Sequence, residues 1–180
     1  VADYGVPQMR RRLVLLAGKG FSIPMPDPTH SQRGRDGLPR WRTLRDALTI
    51  NAEPIRIDEA MAKGGLHTAN WHVIRKLGEA NLERLRHALP GQGRGALPKA
   101  LRPECHRDSD NGFTNTYGRM AWDQPSSTIT AGCLSPSKGR FGHPEELRTI
   151  SLREAALLQT FPPTYRFVGD KIDAACSVVG

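Results

Sequence analysis

The sequence predicts a loop-rich α/β chain, on three observations. A short apolar run, Leu13-Val14-Leu15-Leu16-Ala17, stands between Arg10-Arg11-Arg12 and Gly18-Lys19-Gly20 and reads as a strand buried on both faces, the kind found in parallel sheets. Ser151-Leu152-Arg153-Glu154 has the capping-box pattern that opens a helix. Leu152, Ala155, Ala156 and Gln159 then share one face, and Pro162-Pro163 forces the helix to stop. Between these two elements, Tyr117 to Thr130 mixes aromatic, β-branched and turn residues as short strands do.

The remaining elements follow in chain order. Residues 22–42 hold Pro24, Pro26, Pro28 and Pro39 with little periodicity and predict an extended loop. Thr43 is placed as an N-cap, with Asp46 three residues on and Leu44, Ala47 and Leu48 at helical spacing, which predicts a short helix. From Trp71 to Leu89 the pattern gives two helical pieces. Ile74 and Leu77 lie on one face of the first, the break falls near Gly78, Leu82, Leu85 and Leu89 follow, and Pro90 closes the stretch. The polar, glycine-rich segments 91–103 and 104–112 predict loops.

Composition bounds the class. At 180 residues and 38% hydrophobic content, the chain can bury a core as one domain or as two small ones. It contains no stretch approaching 18 consecutive apolar residues and no signal-peptide succession, so neither a membrane span nor secretion is supported, and the default address is the cytoplasm. Cys105, Cys133 and Cys176 are an odd number without paired spacing, which argues for reduced thiols and against a disulfide framework or a zinc site. The net charge of +8 is uneven: residues 1–50 carry 9 basic and 4 acidic side chains, 51–145 carry 13 and 10, and 146–180 carry 4 and 4. An arginine-weighted excess suits a nucleic-acid backbone, and it equally suits an ordinary solvated surface.

Several motifs fail the chemistry they superficially suggest. Gly91-Gln92-Gly93-Arg94-Gly95-Ala96 matches a dinucleotide pattern but follows a helix and Pro90 where that site needs a strand, so it reads as a flexible loop. His67 and His72 have no partner at metal-ligand spacing, and no metal is expected. No cysteine is flanked by a base, so none reads as a nucleophile. Gln8, Arg10 and Arg12, by contrast, are spaced by two before an apolar strand and project together from its start. They form either an anion or base-edge site or a solvated strand end.

Three blocks, in order, carry a family resemblance. Asp3-Tyr4-Gly5-Val6-Pro7-Gln8-Met9-Arg10-Arg11-Arg12 resembles the Gln-x-Arg-x-Arg block of DNA (cytosine-5) methyltransferases. Tyr117 to Thr130, followed by Gly139-Arg140-Phe141-Gly142-His143-Pro144, is similar to the end of that family's target-recognition region. Arg148 to Pro162 is similar to the helix that props the recognition region on the catalytic domain. The resemblance implies a doubly wound S-adenosylmethionine-dependent methyltransferase sheet, here its carboxyl-terminal portion, plus a small mixed α+β target-recognition domain. It divides the chain into the end of the catalytic domain (1–50), the recognition domain (51–145), and a hinge helix with return (146–180).

The family's Pro-Cys-Gln loop, Glu-Asn-Val segment and cofactor-binding glycine turn do not occur in the chain, and its last block would begin at Gly180. The resemblance therefore implies a carboxyl-terminal part of an enzyme, inactive and poorly stable alone. Double-stranded DNA and an amino-terminal catalytic half, from the same parent chain or a separate subunit, are its expected partners. S-adenosyl-L-methionine, held by that half, is its expected cofactor.

In such enzymes the target cytosine is flipped out of the duplex, because its ring atoms are inaccessible in the stack. A cation beside its O2 then stabilises the charge that accumulates on the ring as a thiolate adds. By resemblance Arg12 is that cation, Arg10 braces the catalytic loop or contacts the backbone, and Gln8 orders the strand start. Thr128 matches a recognition-region threonine near the flipped nucleotide. Ser127, Arg119, Lys138 and Arg140 are expected DNA contacts. Ser151, Arg153, Glu154 and Gln159 are expected to be structural. The competing expectation is a stand-alone DNA-binding module without catalysis.

Overall fold

The computed structural model describes residues 1–108 and 112–180; residues 109–111, within the expected polar loop, lie outside the described residues. In chain order its regular elements are α1 (Leu44–Ala47), β1 (Ile55–Arg56), α2 (Ile57–Ala62), β2 (Val73–Ile74), α3 (Glu79–His87), α4 (Leu152–Leu158) and α5 (Ile172–Val179), with short 3-10 turns between them. β1 and β2 pair in parallel, Ile55 opposite Val73 and Arg56 opposite Ile74. The architecture is thus mixed α/β with a small parallel sheet.

The core is built around α4, every residue of which is buried. Seven residues are too few to be stable as an isolated helix, so packing must hold it. α1, β2 and α5 supply that packing. Leu152, Ala155 and Leu158 join Leu44, Trp71, Val73, Ile150, Phe167 and Cys176 in one cluster, each large side chain worth about 1.5–3 kcal/mol of burial. The expected capping box is formed. Ser151 Oγ accepts from the Glu154 amide at 3.0 Å, and the Ser151 amide donates to Glu154 Oε2 at 2.6 Å.

Glu154 is buried, which by itself would raise its carboxyl pKa. The bidentate guanidinium of Arg148, at 2.7 and 2.9 Å, outweighs that desolvation and holds the group below the usual carboxylate range. Arg153 ties the helix outward, as expected: its Nε donates to the Asn70 carbonyl at 2.9 Å and its Nη2 to Asn70 Oδ1 and the Tyr165 carbonyl. His72 completes the hub. The Ala52 carbonyl can only accept, so the His72 Nε2 at 2.8 Å carries the ring proton, and Nδ1 accepts from the Ser151 hydroxyl. Burial pushes the pKa of His72 down and keeps the ring neutral.

Four expectations need correction. Residues 13–17 form no strand: Leu13 is 100% and Leu15 87% exposed, because a strand buried on both faces needs strands beside it and helices above and below, and none among the described residues flanks it. The first helical piece of 71–89 is instead β2, whose branched Val73 and Ile74 pair with β1, and only the second is a helix. Tyr117–Thr130 forms isolated bridges at Arg119 and Ser126, with Tyr117 in a left-handed turn (φ 55°) and Pro125 unable to donate to a ladder. The glycine run 91–96, expected to be a flexible loop, is anchored at its centre: Arg94 is buried and a Cβ at Gly93 would lie 2.2 Å from the Thr114 carbonyl oxygen, while Gln92, Gly95 and Ala96 are exposed.

α5 has no side-chain cap to announce it, and its buried face is Ala175, Cys176 and Val179. Cys133 and Cys176 are free and buried, and a hydrogen bond between them together with desolvation pushes the Cys133 thiol far above its usual range. The same hydrogen bond draws the Cys176 thiol below its usual range, and both side chains pack in the core cluster.

Two predictions follow from this core. Glu154→Ala removes one of the two carboxylates paired with Arg148, leaving Glu146, and also unpairs the Ser151 amide, so it is expected to cost about 1–3 kcal/mol of stability in urea denaturation; a loss under ~0.5 kcal/mol would show the pair to be dispensable. His72 and His143 both have pKa values lowered by burial, so the unfolded chain takes up protons near the ordinary 6.5 while the folded chain resists. Stability is therefore full above about pH 6.5 and declines as pH falls below it, and urea midpoints independent of pH over that window would contradict the assignment.

Candidate nucleic-acid interface

The first and second sequence blocks are zipped together. The Met9 amide donates to the Ser126 carbonyl at 2.8 Å, and the Ser126 amide donates to that of Pro7 at 2.9 Å. Thr128 Oγ1 donates to the Met9 carbonyl at 3.2 Å. Gln8 is fully buried: its Oε1 accepts from the Ile129 amide at 3.2 Å and its Nε2 donates to Gln159 Oε1 at 2.7 Å. Gln159 Nε2 in turn donates to the Val179 carbonyl at 2.6 Å. Arg10 donates through Nη1 to the carbonyls of Ile129 at 3.1 Å and Gly180 at 3.4 Å. Gln8 and Arg10 are thus braces between the blocks, and of Gln8, Arg10 and Arg12 only Arg12, exposed and resting on the Arg11 carbonyl at 2.9 Å, still projects from the first block.

A second set of close approaches brings in the segment 138–143. The Met120 amide donates to the Gly142 carbonyl and the Gly142 amide to that of Gly118. Gly118 is required there, since a Cβ would lie 2.1 Å from the Gln92 carbonyl oxygen.

Together these segments enclose a cavity of about 750 Å³ lined by Met9, Phe113, Asn115, Thr116, Gln124, Ser127, Thr128, Thr130, Lys138, Gly139 and Arg140. Four residues anticipated as DNA contacts, Ser127, Thr128, Lys138 and Arg140, are brought to one wall system. Its lining contains two cations and no carboxylate among the described residues. Arg140 is held by a hydrogen bond from Nη1 to the Gly91 carbonyl, yet its Nε and the Ser127 Oγ have no protein partner. Unsatisfied donors shielded from water are costly, of order 1–3 kcal/mol each, and two of them lining one cavity favour an acceptor-rich occupant. Burial also lowers the Arg140 pKa, as expected for a guanidinium without a carboxylate beside it.

Arg119 is not brought to this cavity. Its guanidinium is buried and donates to the carbonyls of His143 and Glu146, both at 2.6 Å, and of Leu85 at 2.8 Å, stapling the end of α3 to the segment 143–146. Ser151, Arg153, Glu154 and Gln159 all lie in the core network described above. Sequence reasoning overlooked Met9, Phe113, Asn115, Thr116, Gln124 and Thr130. Met9 could have been found from its position between Gln8 and Arg10, and Phe113 as the one large aromatic in the polar stretch 104–116.

Among the described residues no G-x-G-x-x-G/A turn leads from a strand into an α-helix. The only glycine pattern of that kind, 91–96, follows Pro90, ends in a single 3-10 turn at Arg94–Ala96, and has Gly93 closed by Thr114. No helix among the described residues is long and apolar enough to cross a membrane.

Comparison with known proteins gives the family of the chain. The family model for C-5 cytosine-specific DNA methylases matches residues 1–180. The chain is 42% identical over 166 residues to the Type II methylase M.HgiDII of Herpetosiphon aurantiacus, covering 92% of this chain and 44% of that protein. It is 46% identical over 168 residues to the Type II methyltransferase M1.BsuMI of Bacillus subtilis, covering 91% and 34%. A DNA (cytosine-5)-methyltransferase of Arabidopsis thaliana is 28% identical over 210 residues, covering 93% and 15%. The chain therefore spans less than half the length of each of these relatives. On the match along its whole length, it belongs to the C-5 cytosine-specific DNA methylase family.

Proposed function

We propose that this chain is the DNA-recognising part of a DNA (cytosine-5) methyltransferase of a restriction-modification system, which moves a methyl group from S-adenosyl-L-methionine to C5 of a flipped cytosine. The observation that carries the reading is the carboxylate-free cavity beside the zipped blocks, where Ser127, Thr128, Lys138 and Arg140 converge and two donors lack partners. Phosphate and base-edge oxygens are the acceptors such a wall suits. Thiolate and cofactor belong to an amino-terminal catalytic half, because the chain has no Pro-Cys-Gln loop and its described residues no such glycine turn. Double-stranded DNA in the cytoplasm is the substrate of the assembled enzyme. Residues 1–50 then complete a doubly wound sheet in that half, 51–145 act as the recognition domain, and 146–180 form the hinge and return.

Each residue of this chain has a defined task in that reading. Lys138 and Arg140 attract and orient the phosphate backbone, and Ser127 and Thr128 meet the displaced nucleotide. Arg12 lies within roughly 7 Å of chain from Arg10, whose side chain is pinned to the recognition segment, so the braces limit where Arg12 can reach. Its guanidinium donates to O2 of the cytosine as negative charge develops on the ring, and it stays protonated throughout.

The test joins the chain to an amino-terminal half carrying the Pro-Cys-Gln loop and follows transfer of a labelled methyl group to DNA. Arg12→Ala is expected to lower kcat by about 100- to 1,000-fold with DNA affinity kept within about threefold. Unchanged turnover would remove Arg12 from the chemistry.

A further inference from the structure

Phe113 stands at the mouth of the same cavity with its side chain 87% exposed. An aromatic ring in water gains nothing from folding, and single exposed apolar residues are common enough to need no explanation by themselves. What sets this one apart is its backbone. The Phe113 carbonyl accepts from the Nε of Arg94, a residue with no solvent exposure, at 3.1 Å, and from Thr116 Oγ1 at 3.3 Å. The Arg94 amide in turn donates to the Thr116 carbonyl at 2.8 Å. Buried groups therefore fix the main chain on which an unburied ring is presented. On the adjoining walls, Lys138 and Arg140 supply positive charge, and Asn115 and Thr116 supply amide and hydroxyl groups.

We infer that Phe113 is a base-stacking residue: its ring packs against the face of an unstacked nucleobase of the bound DNA while the cationic wall holds the backbone alongside. A rigidly mounted aromatic next to cations matches the chemistry of such a base, which offers a π-face and a neighbouring phosphate. A phosphate alone would not need the ring, and an apolar partner would not suit two cations and a set of amide and hydroxyl groups. Stacking tolerates any base, so Phe113 contributes affinity and geometry, leaving discrimination between bases to polar groups deeper in the cavity. The inference rests on the DNA-interface reading and deepens it.

The test measures binding of the assembled methyltransferase to a mixed-sequence duplex and to a single strand of the same sequence, by fluorescence anisotropy over a range of salt. For Phe113→Ala the single-strand affinity is expected to fall about 5- to 140-fold, equivalent to ~1–3 kcal/mol per stacked base, with an unchanged slope of log affinity against log salt. Phe113→Trp is expected to retain affinity, since the larger ring stacks as well. Lys138→Ala, as the contrasting variant, lowers the salt slope by about one phosphate contact. The ring is solvated in the free protein, so loss of the fold does not follow from either change at Phe113. Equal affinities of parent and Phe113→Ala overturn the stacking role alone. A parent that binds neither strand form at low salt overturns the DNA-interface reading beneath it.

Discussion

The carboxamide of Gln8 is the interaction on which the arrangement turns. It has no solvent exposure and joins residues separated by 121 and 151 positions, accepting from the Ile129 amide and donating to Gln159, which passes the polarity on to the Val179 carbonyl. Each amide donates in one direction and accepts from the other, so every bond in the relay polarises the next, and a gap anywhere would leave a buried polar group unpaired. The first block, the second block, α4 and α5 are therefore held in one register. The cavity beside Met9 and Thr128 exists because of that register.

α4 supplies the rigid surface against which the relay is anchored. It contains charged residues on a face where a globular helix ordinarily has leucine, and the charges are tolerated because each is committed: Glu154 to Arg148 and Ser151, Arg153 to Asn70 and Tyr165. Such a hub is specific and brittle, since removal of one partner leaves buried polar groups of the others short of a hydrogen bond. Arg119 works by the same logic on the other side of the domain, spending three hydrogen bonds on backbone carbonyls at the end of α3 and in the segment 143–146.

What the sequence made legible was local. The capping boxes at Thr43 and Ser151 depend on residues three apart and appear where the pattern put them. The parts that were misjudged depend on distant neighbours. The apolar run at 13–17 carries the signature of a buried strand, but burial is conferred by other strands, and Leu13 and Leu15 stand in solvent without them. Val73 and Ile74 fit helix or strand equally until Ile55 is brought alongside. The same holds at the site: Ser127, Thr128 and Arg140 lie in the blocks and Lys138 beside them, and the four line one cavity, whereas the inward turn of Arg119 and the bracing by Gln8 and Arg10 follow from hydrogen bonds to residues far along the chain. Residue type alone did not distinguish Arg140, which lines the cavity, from Arg119, which staples the end of α3.

On the proposed function, DNA is gripped in the cavity beside the zipped blocks. Amide hydrogen exchange of the assembled enzyme with and without duplex DNA tests it most directly, because it reports every segment of the chain at once. Slowed exchange is expected in residues 113–116, 127–130 and 138–140, with little change in the separate cavity lined by Thr49, Thr68, His72 and Leu157. Protection confined to that other cavity, with 127–130 and 138–140 unaffected, would contradict it.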